Sequence, residues 1–215
     1  MHPYSQNVSE RQLVQWAWTL AVAALSVSVG GSVHPPLEAF ANQFGVPGFL
    51  TSVFARFLTP FGLFSASIWA FDNHLWKWRV VRWLTRLEVP VLEGDWNGEL
   101  RSSYRGQDGT EEPEVHEIKL LCIKQTWTRI AIRLETNASS SDSYVASFVL
   151  CSGQKPKLVY SYQNDPKYDN VGTMQIHRGT AELTVESECR LAGLYFTGRG
   201  REGNYGTMEL KKISQ

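Results

Sequence analysis

The chain has 215 residues, and its 21 Lys+Arg balance 21 Asp+Glu. That zero net charge hides a division: residues 1–89 are apolar and aromatic with 6 basic and 4 acidic side chains, whereas residues 90–215 are polar, rich in Thr, Tyr and Gly, and carry 15 and 17. A near-neutral second half excludes a generic DNA or RNA polymer binder, which needs a basic surface, yet it is long enough to bury one core. Cys122, Cys151 and Cys189 are odd in number and form no CxxC. This excludes a disulfide framework or zinc ribbon, fits a reducing compartment, and leaves them as small strand residues.

From Gln12 to Leu37 no residue is charged. Leu13 to Val33 therefore reads as a first transmembrane helix, since a helix of that length spans roughly 30 Å. A weakly basic start carrying Glu10, and no small-x-small site before His34-Pro35-Pro36, argue against a cleaved signal peptide. A second apolar segment, Phe49 to Phe71, contains Pro60 and Gly62 and one charge, Arg56. A second span is expected there, with an amphipathic helix in the membrane interface as the competing reading. Arg56 either snorkels to the near interface or lines an oligomeric interface or pore. The segment from Val33 to Gly48 is the expected connection. Lys77, Arg79, Arg82 and Arg86, interleaved with Trp76, Trp78 and Trp83, form a basic, Trp-rich exit. The positive-inside rule places that exit, and with two passes both termini, in the cytoplasm. The spacing of Trp76, Val80, Trp83 and Leu87 predicts that the helix continues along the membrane surface and ends near Glu88-Val89-Pro90.

From Val91 the pattern changes to short alternating runs broken by turn residues. Eight strands are expected: 92–104, 115–125, 129–136, 144–151, 157–163, 180–186, 190–198 and 205–213. Gln107-Asp108-Gly109, Ser139 to Ser143, Ser152-Gly153-Gln154, Asn164-Asp165-Pro166 and Gly200 to Asn204 read as connections. The fold class is thus a two-helix transmembrane hairpin over 1–89 followed by an all-β domain over 90–215, an antiparallel up-and-down, lipocalin-like barrel of about eight strands. Gly94-Asp95-Trp96 opens the first strand as in lipocalin-like barrels, where the Trp plugs the closed end.

No Walker loop, HExxH or GxSxG is present, and His2, His34, His74, His116 and His177 are scattered. No catalytic residue, metal ligand or cofactor is therefore expected, and the protein is not read as an enzyme. The β half does gather aromatic and polar side chains late in the sequence. Tyr195, Thr197 and Arg199 alternate and so share one face. A ring to stack, a hydroxyl and a guanidinium suit a small anionic aromatic ligand such as a nucleotide. A solvated face with an ordinary loop arginine is the other reading. Ser139 to Ser143 reads as a turn or as a phosphate-contacting loop.

Tyr162-x-Asn164-x-Pro166, His177-x-Gly179-Thr180 and Leu191-x-Gly193-x-Tyr195-x-Thr197-x-Arg199, together with the hairpin and basic linker, resemble the two-transmembrane plus β-barrel effectors of CBASS, the bacterial cyclic-oligonucleotide antiphage system. The resemblance implies a cytosolic barrel that binds a cyclic dinucleotide through Tyr162, Asn164, His177, Tyr195, Thr197 and Arg199. It also implies homo-oligomerisation on binding, and disruption of the bacterial inner membrane leading to cell death. Small residues Ala21, Ala24, Ser28 and Gly31 offer close-packing faces for such association. The alternative is a membrane-tethered, lipocalin-like carrier or interaction module with no nucleotide ligand, whose interior would be apolar throughout.

Overall fold

The computed structural model describes residues 2–5, 8–53, 59–85, 88–103, 114–151, 153–170, 174–198 and 204–213. Arg56 and Arg199 lie outside them, as does the expected Gln107-Asp108-Gly109 turn. The chain forms two compact units, one of Val8–Thr85 and one of Met1–Asn7 with Arg86–Gln215.

The first unit is helical. Helix α1 runs over Val8–Gln43, straight through Pro35 and Pro36. The connection expected from Val33 is therefore helical for most of its length. It is Gly45, at φ 68°, and not the proline pair, that follows the end of the helix, with the Val46 N–H donating to the Ala41 carbonyl at 3.2 Å. Glycine takes this left-handed conformation without the steric penalty of a Cβ, which is why it closes so many helices. The second apolar segment forms two helices, α2 (Gly48–Val53) and α3 (Thr59–Asn73), on either side of residues 54–58, which are not described. Pro60 sits in the first turn of α3, where its missing N–H leaves no bond unmade. Trp18 of α1 stacks on Phe71 of α3 with centroids 4.8 Å apart. Val22 and Ser26, one and two turns further along α1, are buried.

The continuous surface helix expected after Phe71 is broken. Asn73 ends α3, Leu75–Lys77 form a 3-10 turn, Trp78 is extended, and α4 covers Arg79–Thr85. Among the described residues no helix is long and apolar enough to cross a membrane. The side chains at 13–15, 30 and 33 of the expected first span are outside that description.

The second unit is an eight-stranded antiparallel up-and-down barrel joined by one further strand. Strand β1 is His2–Ser5, and the barrel proper runs β2 (Gly94–Ser102), β3 (Glu114–Gln125), β4 (Arg129–Thr136), β5 (Ser139–Val149), β6 (Lys157–Pro166), β7 (His177–Ser187), β8 (Arg190–Thr197) and β9 (Asn204–Lys212). Each of β2–β9 pairs with its neighbour in sequence, and β9 returns to β2 to close the sheet. Closure leaves β2 and β9 no free edge.

Two expected connections are strand. Ser139 to Ser143 opens β5, and Asn164-Asp165-Pro166 ends β6. The hairpin before β5 is reduced to Asn137 and Ala138. Thr136 Oγ1 fixes it, accepting from the Ala138 and Ser139 N–H groups at 3.2 and 3.1 Å. The serines that looked like a turn then alternate, with Ser139 and Ser141 buried and Asp142 exposed.

Alternation sends one side chain of every two inward. Near the start of β2 the interior is filled by Trp96, Leu121, Ile123, Ile130, Leu158, Leu183, Leu191 and Leu210. Trp96 is fully buried, its Nε1 donating to the Leu92 carbonyl at 3.0 Å and its ring lying under Lys212 Nζ at 5.6 Å. Gln125 ties the entering chain across this end: its Oε1 accepts from the Leu92 N–H at 2.8 Å, and its Nε2 donates to the Pro90 carbonyl at 3.0 Å. Trp96 is a core plug, as its place in the first strand implied.

Candidate functional site

At the opposite end of the barrel the same strands turn polar groups inward. They enclose a cavity of about 330 Å³, within the range of roughly 300–1,000 Å³ usual for small-molecule sites. Five of the six residues picked out from the sequence line it: Tyr162 and Asn164 from β6, His177 from β7, and Tyr195 and Thr197 from β8. The fold brings them together because each is two residues from the next inward position. Tyr160, Tyr162 and Asn164 succeed one another along β6, as do Tyr195 and Thr197 along β8. Arg199 is outside the described residues.

Sequence reasoning did not single out most of the remaining lining, although it read Ser139 to Ser143 as a turn or a phosphate-contacting loop. Ser102 comes from β2, His116 from β3, Leu134 and Thr136 from β4, Ser139 and Ser141 from β5, and Tyr160 from β6. The signal was present for His116 and Thr136. His116 stands two places before the inward Ile118, and Thr136 continues the inward series Ile130, Ile132 and Leu134. Ser139 and Ser141 stood in a run that read as a turn or a phosphate-contacting loop, not as inward strand positions, because short hydroxyl residues in a row suit turns.

Three tyrosines dominate the cavity. Tyr160 and Tyr162 have ring centroids 5.9 Å apart. Tyr162 lies across Gly179, its partner on β7, and Tyr195 across Gly206, its partner on β9. A Cβ on Gly179 would come 2.5 Å from the Tyr162 hydroxyl, and one on Gly206 2.5 Å from the Tyr195 ring. No side chain other than hydrogen leaves the rings that room. Burial drives the phenols of Tyr160 and Tyr162 well above the ordinary tyrosine range, Tyr195 adding to the effect at Tyr162. Tyr160 and Tyr162 therefore offer their faces as neutral rings.

The polar groups differ in how well they are satisfied. Ser141 Oγ donates to Asn164 Oδ1 at 2.7 Å, and Asn164 Nδ2 donates to Met174 Sδ at 3.5 Å. His177 Nδ1 donates to the Gln175 carbonyl at 3.0 Å, which leaves Nε2 as the free ring nitrogen. The Thr197 hydroxyl is buried and, among the described residues, has no hydrogen-bond partner. A buried hydroxyl left unpaired costs about 1–3 kcal/mol, so it marks a place where a ligand atom would complete the bonding. Over the hairpin, Lys167 Nζ donates to the Thr136 carbonyl at 2.6 Å and Asn170 Nδ2 to the Ala138 carbonyl at 3.4 Å. These bonds hold the Tyr168–Asn170 turn beside the mouth. Among the described residues no three His, Cys, Asp or Glu side chains come together to hold a metal ion.

Fold and site together define a small-molecule-binding β-barrel, filled at one end and open, aromatic and hydroxyl-lined at the other. A family model described as Cap15, cyclic dinucleotide receptor domain, matches residues 87–212. CD-NTase-associated protein 15 of Yersinia aleksiciae is 35% identical over 144 residues, covering 66% of this chain and 64% of that one. The chain belongs to the Cap15 family, as the resemblance to CBASS effectors drawn from its sequence implied.

Proposed function

We propose that the chain is a membrane-tethered CBASS effector whose barrel mouth binds a cyclic dinucleotide, and that binding drives the chains to oligomerise and breach the bacterial inner membrane. The observation that carries the ligand is the mouth itself: three tyrosine rings around a cavity also lined by Thr197, whose buried hydroxyl has no hydrogen-bond partner among the described residues. Aromatic faces stack on nucleobases at about 1–3 kcal/mol per base. Hydroxyl and amide groups meet base edges and phosphate oxygens without a cation having to be desolvated. The family's description as a cyclic dinucleotide receptor domain supports the same ligand. A lipid carrier would be apolar throughout, and the hydroxyl-lined mouth argues against one.

The membrane part of the reading rests on the helical unit. Its surface is apolar: Trp16 and Leu20 are 65% and 67% exposed, and Val27 and Phe61 both 68%. Large apolar patches on a protein surface mark contact with lipid or another protein. The basic stretch from Lys77 to Arg86, with Trp78 and Trp83 exposed and Trp76 buried, fits the cytoplasmic edge of a bilayer. In this reading residues 8–85 form a two-pass hairpin over Leu13 to Val33 and Phe49 to Phe71, with both termini and the barrel in the cytoplasm. Arg56 becomes tolerable once several hairpins associate. A ligand coupling of roughly 1–3 kcal/mol per subunit is enough to switch weakly self-attracting helices.

Titration calorimetry of the full chain in lipid nanodiscs, against a panel of cyclic di- and trinucleotides, tests the ligand. Heat from at least one cyclic dinucleotide is expected, and silence across the panel overturns the reading. Dye release from anionic liposomes carrying the protein tests the second half: leakage is expected only with the ligand that gives heat.

A further inference from the structure

Strands β4 and β5 are neighbours in sequence, yet they pair with each other over a short stretch only. The ladder joins Arg133 to Asp142, Leu134 to Ser141 and Glu135 to Ser140, and then stops. By contrast β5 and β6 stay paired from Ser139↔Pro166 to Val149↔Lys157. The stopping point is built into the side chains. The N–H of Ile132 donates to Ser143 Oγ at 2.9 Å and not to a carbonyl, and β5 bulges between Ser143 and Val145 against β6. Beyond it, both strands would present unpaired backbone groups, an edge that invites another strand.

That gap is occupied. His2 and Pro3 pair antiparallel with Ile130 and Arg129 of β4, and Tyr4 and Ser5 pair parallel with Ala146 and Ser147 of β5. One strand of four residues thus crosses the seam, bonded first to one side and then to the other. Pro3 suits such a place, since it has no N–H to give a continuous ladder. The same strand is grouped with the barrel, although Val8–Thr85 intervene before the next residue of that unit.

We propose that the β4–β5 seam is a strand-docking site and that residues 2–5 of the same chain are its occupant. One consequence follows from connectivity. Strands β1 and β2 belong to one barrel, so whatever membrane Val8–Thr85 crosses is crossed an even number of times. In the sequence only Gln6 and Asn7 stand between β1 and α1. The hairpin that the seam interrupts also carries Thr136, Ser139 and Ser141 into the ligand cavity, which puts the docked strand and the candidate ligand contacts on the same pair of strands.

The test uses the full chain in membranes, with Cys122, Cys151 and Cys189 replaced by Ser, and Pro3→Cys combined with its register partner Arg129→Cys. Paired residues on adjacent strands lie within disulfide reach. Mild oxidation is expected to give a disulfide within one chain, seen as a 3–129 linked peptide from the monomer band. A control pair, Pro3→Cys with Glu188→Cys, is expected to give none. Absence of the 3–129 link, a link formed only between chains, or equal linking in the control overturns the proposal. Hydrogen exchange supplies a second readout. Tyr4→Pro, or deletion of residues 2–5, is expected to speed exchange at 129–131 and 145–148 while leaving β7 and β8 unchanged, and no change at those positions overturns it. If the deletion fails to fold, the crosslink in the intact strand still decides.

Discussion

The two ends of the barrel share strands β2–β9 and differ in what those strands turn inward. At one end Trp96, Leu121, Ile123, Ile130, Leu158, Leu183, Leu191 and Leu210 fill the space. At the other, Ser102, Thr136, Ser139, Ser141, Tyr162, Asn164 and Thr197 surround a cavity. The difference separates stability from recognition along one axis. The filled end supplies the hydrophobic burial that holds the barrel together, and the open end carries cavity and polar cost that a ligand would relieve. A closed sheet permits this division because every strand runs through both ends, so the packing of one end fixes the register of the other.

The largest effect that would test this division is expected at the filled end. Trp96→Ala removes the plug, its ring under Lys212 and its bond to the Leu92 carbonyl. Replacing a buried Trp by Ala costs about 3–5 kcal/mol. Urea unfolding of the barrel, followed by the loss of its β circular-dichroism signal, should show a drop of that size. A loss below about 1 kcal/mol, the scale of ordinary substitutions, would mean that the filled end does not anchor the fold.

Alkaline pH probes the open end. Burial raises the phenol pKa of Tyr160 and Tyr162 above the ordinary tyrosine value of about 10, with Tyr195 contributing at Tyr162. The sign of the linkage follows. In the unfolded chain these phenols lose their protons near pH 10, and in the folded barrel they keep them to higher pH. Above about pH 10 the unfolded state therefore binds fewer protons, and the stability these residues contribute falls as pH rises. Absorbance at 295 nm should show two phenols that fail to ionise with the rest until the barrel unfolds. Tyr160→Phe with Tyr162→Phe should flatten the decline above pH 10. A wild-type titration completed in one step near pH 10 would show that the mouth is open to water around both rings.

How much of this was legible in the sequence follows from the same division. Strand β4 was readable to the residue, Arg129 to Thr136, because the large apolar Ile130, Ile132 and Leu134 alternate with Arg129, Ala131, Arg133 and Glu135. The filled end is written in apolar alternation, and Gly94-Asp95-Trp96 marked its plug. The open end breaks that code, since its inward positions hold Ser, Thr, Asn and His, which on their own read as turns or surface. Ser139 and Ser141 were misplaced for that reason, and Asn164 was expected in a connection although it is buried on β6. Tyr162, Asn164, His177, Tyr195 and Thr197 were picked out through family resemblance, and alternation alone grouped Tyr195, Thr197 and Arg199. The run of α1 through Pro35 and Pro36 to Gln43 contradicts the local rule that proline ends helices. Strand β1 was unreadable because four residues offer no period, and its partners lie more than a hundred residues away.

The smallest expected effect is also the one that separates the two ends most cleanly. Thr197 lines the cavity, and its buried hydroxyl has no hydrogen-bond partner among the described residues. Thr197→Val keeps the β-branched shape that suits strand β8 and replaces the hydroxyl with a methyl group. Were the hydroxyl structural, losing it would destabilise the barrel. Here the desolvation cost disappears with the group that bore it, so stability should hold or rise by up to about 1 kcal/mol. Affinity for the cyclic dinucleotide should move the other way, because the ligand atom that the hydroxyl would meet is left without a bond. A loss of about 0.5–1.5 kcal/mol is a two- to twelvefold rise in Kd. Thermal unfolding and calorimetry on the same preparation read both numbers. If Thr197→Val lowers stability and leaves affinity unchanged, the hydroxyl belongs to the scaffold, and the polarity of the open end is not there for the ligand.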